Sequence, residues 1–263
     1  MRVPYVSSSS QTDLVHQNLC EYLDSGTYCD LTLIVGSKSF PCHRIILASS
    51  SPYFQALLTH TFKENSLNSI ELHDIESQTF AVLLRYIYSG KIELDDKNVQ
   101  DLFIASDMFQ LNEVVQFCCH YLSISLNEQN VIDVWKLANE LQCLSLKADA
   151  EQYLITHFRN LLKLDLIKTI PYDLLIKVIS NDDLIVDSEQ QVFEAILTWY
   201  CNNLDQPVEQ LLDNVRFELI SKEHQNIILQ QIVCTSTYES FQSSVFLDEP
   251  IDNTPYRAEY PST

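Results

Sequence analysis

Histidine and cysteine are the residue types best suited to chemistry near neutral pH, so their surroundings in the sequence decide which reactions are open. His43 stands beside Arg44 with no Ser or Cys nucleophile and no orienting carboxylate placed with it. It therefore reads as a packed or capping histidine rather than a general base. Cys118, Cys119 and His120 are consecutive, and neighbours on a helix point about 100° apart, so the three cannot all face one metal ion. The eight cysteines (Cys20, Cys29, Cys42, Cys118, Cys119, Cys143, Cys201 and Cys234) contain no C-x-x-C pair, and a chain of 263 residues needs no disulfide staples, so most read as buried thiols. Only three glycines occur, Gly26, Gly36 and Gly90, and no two are close enough to cradle a phosphate. Rossmann and P-loop chemistry is excluded. With no paired acid–base groups and no activated nucleophile, the expectation is a protein without catalytic residues, cofactor or metal.

A mass of 30.4 kDa allows one large domain or two smaller ones. The chain is 46% hydrophobic and 20% charged, which suits a globular protein rather than a disordered one. Its net charge of −20 would repel a phosphate backbone or an anionic lipid surface, so neither nucleic acid nor membrane is an expected direct partner. Residues 1–11 are polar and later apolar runs are broken by charge well short of ~18 residues. A cytoplasmic location, extending to the nucleus, is expected.

Periodicity outlines the elements that would position a binding surface. Residues 1–12 are Ser-rich and read as a flexible N-terminus. Leu14, Leu19, Tyr22 and Leu23 outline a first amphipathic helix, stopped at Asp24-Ser25-Gly26. Cys29 to Val35 reads as a strand, Gly36-Ser37 as a tight turn, and Lys38 to Cys42 as the returning arm of a hairpin. A helix begins around Ile45. Ser51 can then cap a second helix whose first position is Pro52.

Thr59 to Asn68 reads as a loop and Ser69 to Leu72 as a short strand. Phe80, Leu83, Leu84, Ile87 and Tyr88 repeat as one buried helical face with Gly90 as C-cap. Val99 to Ser106 and Leu111 to Leu122 carry two more helical stripes. Beyond Asn127 only helical stripes remain, through Trp135, Phe158, the helix started by Pro171, and one capped by Asp187 or Ser188. The expected organisation is a flexible start (1–12), an α+β domain (13–125), an all-α domain (126–235) and a loosely ordered, proline-containing tail (236–263).

Four ordered strings give this pattern a family resemblance: Cys29-Asp30-Leu31-Thr32-Leu33, Cys42-His43-Arg44-Ile45-Ile46-Leu47-Ala48, Ser51-Pro52-Tyr53-Phe54 and Tyr88-Ser89-Gly90-Lys91-Ile92. They resemble the signature segments of the BTB (POZ) domain in sequence and spacing. Asn130 to Trp135, Leu197 to Tyr200 and Leu211 to Phe217 resemble the BACK helical domain. The chain is thus similar to the kelch-like BTB-BACK family.

The resemblance implies a non-enzymatic adaptor that dimerises and binds cullin-3 in a ubiquitin ligase complex. In cullin-binding members the loop before the next strand carries a hydrophobic residue, any residue, then Glu, and Phe62-Lys63-Glu64 fits, although Asn65 follows where Ser is usual. Taken alone, Phe62 would read as core and Glu64 as a solvated charge. At this loop of a BTB fold they read as an aromatic anchor and a hydrogen-bonding carboxylate. Tyr53 and Phe54 would support that surface, and the helix bearing Leu14, Leu19, Tyr22 and Leu23 would join this chain to a second copy or to another BTB protein. Asp30 and Arg44 resemble the family's charged pocket near the dimer interface. A role in folding is the competing reading, because losing one member of a buried pair leaves an uncompensated charge.

The family's client-binding kelch propeller needs several repeats of about 50 residues, whereas about 30 residues follow the helical segment, none of them glycine. This leads to the expectation of a competitor that occupies cullin without delivering a client, with recruitment through the tail as its rival. The alternative function class is an interaction scaffold or transcriptional co-regulator that never meets a cullin.

Overall fold

Alternating apolar residues make Leu31–Val35 a strand with one buried face: Leu31, Leu33 and Val35 are buried while Thr32 and Ile34 are only partly so. The computed structural model describes residues 9–60 and 68–220, and these divide between Ile124 and Ser125 into two compact units. The first is α+β. Helix α1 (Ser9–Ser25) precedes strand β1 (Leu31–Val35), strand β2 (Lys38–Cys42), and helices α2 (Arg44–Ser50) and α3 (Pro52–His60). Strand β3 (Ser69–Leu72) and helices α4 (Ser77–Ser89), α5 (Val99–Met108) and α6 (Asn112–Ile124) complete it. Helix α1 begins a turn earlier than Asp13, because a helix seeded by its apolar face can extend through polar residues that have no burial of their own to satisfy.

The described strands form one sheet in the order β2-β1-β3. β1 and β2 are antiparallel, with Leu31 opposite Cys42 and Val35 opposite Lys38. Gly36 turns the hairpin at φ 57°, a left-handed conformation that glycine adopts without a Cβ clash. Pro41 falls on β2, at the sheet edge, where its missing N–H costs no internal ladder bond. β3 pairs parallel to β1, with Thr32 opposite Ser69 and Val35 opposite Leu72.

The sheet and helices close over an aromatic core. Phe54 stacks on Phe109 at 5.0 Å, and Phe80 lies edge-on to both Phe109 and Phe40 at 5.9 and 5.1 Å. Phe54, Phe80 and Phe109 are fully buried, and burial of such a side chain stabilises by about 1.5–3 kcal/mol. Helix α4 buries the stripe Phe80, Leu83, Leu84, Ile87 and Tyr88 and ends at Gly90, φ 66°, whose N–H bonds the Tyr86 carbonyl.

In the second unit every regular element among the described residues is helical: α7 (Val131–Glu140), α8 (Leu144–Lys163), α9 (Tyr172–Ile179), α10 (Glu189–Tyr200), the short α11 (Glu209–Leu212), and 3-10 turns at Leu166–Thr169 and Phe217–Leu219. Its core runs from Val131 through Leu154, Phe158 and Leu175 to Trp199, whose Nε1–H donates to the Ile170 carbonyl at 2.7 Å. Helix α8 bends at His157 (φ −112°, ψ 15°), whose Nδ1 lies 3.0 Å from the Tyr153 carbonyl. A side chain reaching into the backbone ladder is a recognised cause of such a bend.

Candidate protein-interaction site

The residues expected to meet partners fall on three pieces of the first unit. Phe62 and Glu64 lie outside the described residues, as does the tail from 236. Helix α3, which ends at His60, carries the two aromatics assigned to support them. Ser51 caps this helix: its Oγ accepts the Phe54 N–H at 3.1 Å and donates to the Phe109 carbonyl at 2.6 Å. Phe54, expected at the partner surface, is instead fully buried in the aromatic core, while the half-buried Tyr53 ring packs edge-on to Phe54 at 5.3 Å and Phe109 at 5.2 Å. The sequence fixes the start of α3 tightly, and the aromatic core fixes its orientation.

Two polar contacts tie helix α1, at its middle and at its C-terminal end, to the C-terminal half of α4. His16 Nδ1 lies 2.8 Å from the Tyr88 carbonyl, and Arg85 pairs with Asp24 at 2.6 Å. Both members of the ion pair are exposed, so it contributes at most about 1 kcal/mol. A groove of about 950 Å³ runs between the two helices, lined by Asp13, His16, Glu21, Arg85, Lys91 and Glu93 among others. Leu19 and Leu23 are half-buried, whereas Leu14 is 49% and Tyr22 37% exposed. Val15 (45%) extends the exposed face. The four residues expected to dimerise therefore divide: two lean toward the first unit's own helices and two face outward.

Asp30 and Arg44 do meet, each side chain bonding the other residue's backbone. The Asp30 carboxylate accepts the Arg44 N–H at 2.8 Å and so caps α2 from outside it, while Arg44 Nε–H donates to the Asp30 carbonyl at 3.4 Å. Asp30 is exposed and Arg44 partly buried.

His43 is buried between Thr27 and α4. Its Nδ1 lies 2.7 Å and its backbone N 2.9 Å from Tyr88 Oη, and its Nε2 lies 2.9 Å from the Thr27 carbonyl. A proton on Nε2 satisfies every group: Nε2–H donates to Thr27, Tyr88 O–H donates to Nδ1, and Tyr88 Oη accepts the His43 N–H. Burial pushes the Tyr88 hydroxyl pKa well up and the Cys42 thiol up to about 12. Cys118 is likewise raised to about 12 by burial, while His120 on the same helix is exposed. Among the described residues no group of three His, Cys, Asp or Glu could hold a metal ion, and no helix is long and apolar enough to cross a membrane.

Sequence reasoning passed over Tyr28, which is 77% exposed in a left-handed conformation, and Ile45, which is 72% exposed at the start of α2. Tyrosine is not a residue type that announces a positive φ, and Ile45 stands in the apolar run Ile45-Ile46-Leu47, where nothing in sequence marks it as exposed.

The BTB/POZ family model matches residues 19–126, and the model described as BTB And C-terminal Kelch (BACK) matches residues 131–230. The chain belongs to the kelch-like BTB-BACK family. It is 31% identical over 217 residues to Kelch-like protein 40 of Xenopus tropicalis, covering 81% of this chain and 35% of that protein. To Kelch-like protein 17 of Homo sapiens it is 33% identical over 201 residues, 75% of this chain and 31% of that protein. The solved BTB domain of zebrafish PATZ1 matches 47% of this chain and all of its own length at 26% identity, with a TM-score of 0.42. This BTB-BACK chain thus spans about a third of the curated relatives it matches. The BTB domain corresponds to the α+β unit, the BACK domain to the helical one, and the family is of adaptor type.

Proposed function

We infer that this BTB-BACK protein is a non-enzymatic adaptor that self-associates through its BTB domain and binds cullin-3 in a ubiquitin ligase complex. The observation that carries the reading is the order of parts: a BTB domain whose α3 is locked into the aromatic core by Ser51 and Phe54, followed directly in sequence by Phe62-Lys63-Glu64. A rigid helix ahead of an aromatic and a carboxylate two residues apart suits a small hot spot, with the ring filling a pocket and the carboxylate accepting hydrogen bonds. The chemistry of ubiquitin transfer then belongs to the partners, and this chain contributes shape and attachment.

The test is calorimetric titration of the intact chain with the N-terminal part of cullin-3. Truncation of a desolvated aromatic anchor typically costs ≥ 2 kcal/mol, about 30-fold in affinity. Phe62→Ala is expected to weaken binding by that factor while thermal stability stays at the wild-type value. Unchanged affinity would remove Phe62 from the contact. Absence of any heat with the wild-type chain would remove cullin from the function.

A further inference from the structure

The turn after α1 holds a residue in a conformation that its type disfavours. Tyr28 has φ 62°, where the Cβ of a bulky side chain crowds its own backbone. Such strain persists only where the surroundings enforce it, and it runs as an inference from the outlier toward function. Here the enforcing groups stand on both sides. Before Tyr28, the Thr27 N–H bonds the Tyr22 carbonyl at 3.0 Å and the Thr27 carbonyl lies 2.9 Å from His43 Nε2. After it, the Asp30 N–H bonds the Cys42 carbonyl at 3.2 Å and the Asp30 carboxylate takes the Arg44 N–H. His43 is itself fixed by the Tyr88 hydroxyl.

All this anchoring leaves the Tyr28 ring 77% exposed, more than any other large hydrophobic side chain among the described residues. Its described ring contact is edge-on to Tyr22 at 5.3 Å. The ring is presented rather than packed. We propose that Tyr28 is a specificity-determining contact of the self-association face, engaging a second copy of this chain, and that the Tyr88–His43 couple is the positioning pair that holds it out. The inference rests on the self-association reading above.

A second copy is the fitting occupant because of where the ring stands. Tyr28 packs on Tyr22 at the end of α1, the helix assigned to self-association, which also exposes Leu14 and Val15 about two turns earlier. Around it, Asp24 pairs with Arg85 and Asp30 accepts the Arg44 N–H, while Asp13 and Glu21 stand exposed on the same helix. A tyrosine suits the task because it brings a large amphipathic area with few rotatable bonds to freeze.

The experiment is sedimentation velocity over a dilution series of the full chain, with circular dichroism and thermal melting as folding controls. Tyr28→Gly removes the ring and accepts the positive φ, so it should weaken self-association about 30-fold without lowering the melting temperature of the monomer. Tyr88→Phe keeps the ring but removes the hydroxyl. It should weaken association about 10-fold, speed amide exchange across residues 26–30, and add nothing further in the Tyr28→Gly background. A dimer whose dissociation constant ignores Tyr28→Gly overturns the inference and leaves the self-association reading standing. A wild-type chain that stays monomeric at tens of micromolar removes that reading, and the inference with it. Equal weakening by Tyr88→Phe with and without Tyr28 would remove His43 and Tyr88 from the positioning role.

Discussion

The Ser51 hydroxyl joins the start of α3 to the Phe109 carbonyl at 2.6 Å, across 58 positions of sequence, while accepting the Phe54 N–H. Ser51 is 1% exposed, so water is no substitute for either bond. Ser51→Ala removes a helix cap and strands a buried carbonyl together, which should cost about 2–3 kcal/mol. Urea denaturation of the first unit measures it. A midpoint within error of the wild type would mean that both groups find other partners.

Trp199 plays the matching part in the second unit, with its ring buried and Nε1–H on the Ile170 carbonyl at 2.7 Å. Trp199→Phe leaves a smaller ring and an unpaired carbonyl, for an expected loss of about 2–4 kcal/mol. Trp135, the other of the two tryptophans, remains as a fluorescent reporter in this variant. A loss below 1 kcal/mol would show that the site collapses onto the smaller ring.

These two contacts also mark where the sequence is readable. The Ser51-Pro52 start of α3 is local, since a capping hydroxyl followed by a residue preset for helix announces itself within two positions. The bond from the same hydroxyl to Phe109 is not, because nothing near Ser51 encodes what lies 58 positions away. The α4 stripe and the β1–β2 hairpin are legible for the same local reason, whereas the parallel pairing of β3 with β1 is set by tertiary packing and leaves no periodic trace. For the candidate site the residue types were informative and the geometry was hidden. The types of Asp30 and Arg44 suit a charged pocket or a folding role alike, and the bond from the Arg44 backbone N–H to the Asp30 carboxylate depends on a placement that the types do not encode. His16 carried no signal at all, since a histidine on an amphipathic helix looks the same whether or not a carbonyl from another helix awaits it.

Thiol reactivity should follow burial. Cys42 and Cys118 are raised from 9.0 to about 12, chiefly by desolvation, while Cys201 is exposed. At about pH 8 a thiol with a pKa of about 12 carries almost no thiolate. Brief alkylation of the native chain followed by peptide mass spectrometry should therefore label Cys201 and spare Cys42 and Cys118, with all three labelled in urea. Early labelling of Cys42 would mean that the β1–β2 hairpin opens locally under native conditions.

The last expectation concerns acid, and it centres on Glu128 at the head of the BACK domain. Its carboxyl is held below the ordinary Glu value, first by its own backbone N–H and next by Asn160 Nδ2 at 3.0 Å, against an opposing desolvation, with the Tyr153 hydroxyl and the nearby His157 adding smaller effects in the lowering direction. Those donors favour the carboxylate, so folding lowers the pKa relative to the unfolded chain. A lowered folded-state value means that the unfolded chain takes up the proton first as pH falls. The stabilisation is thus whole above about pH 4.3, the ordinary Glu value, and drains away as pH drops through the folded-state value. Glu128→Gln keeps an oxygen acceptor but has no charge to titrate. The stability gap between wild type and this variant, from urea midpoints at stepped pH, should be widest near neutrality and close below about pH 4. A gap that stays constant across that range would mean that the carboxylate gains nothing from Asn160 and Tyr153 beyond what an amide gains. A gap that widens in acid would reverse the sign and place the donors on the protonated form.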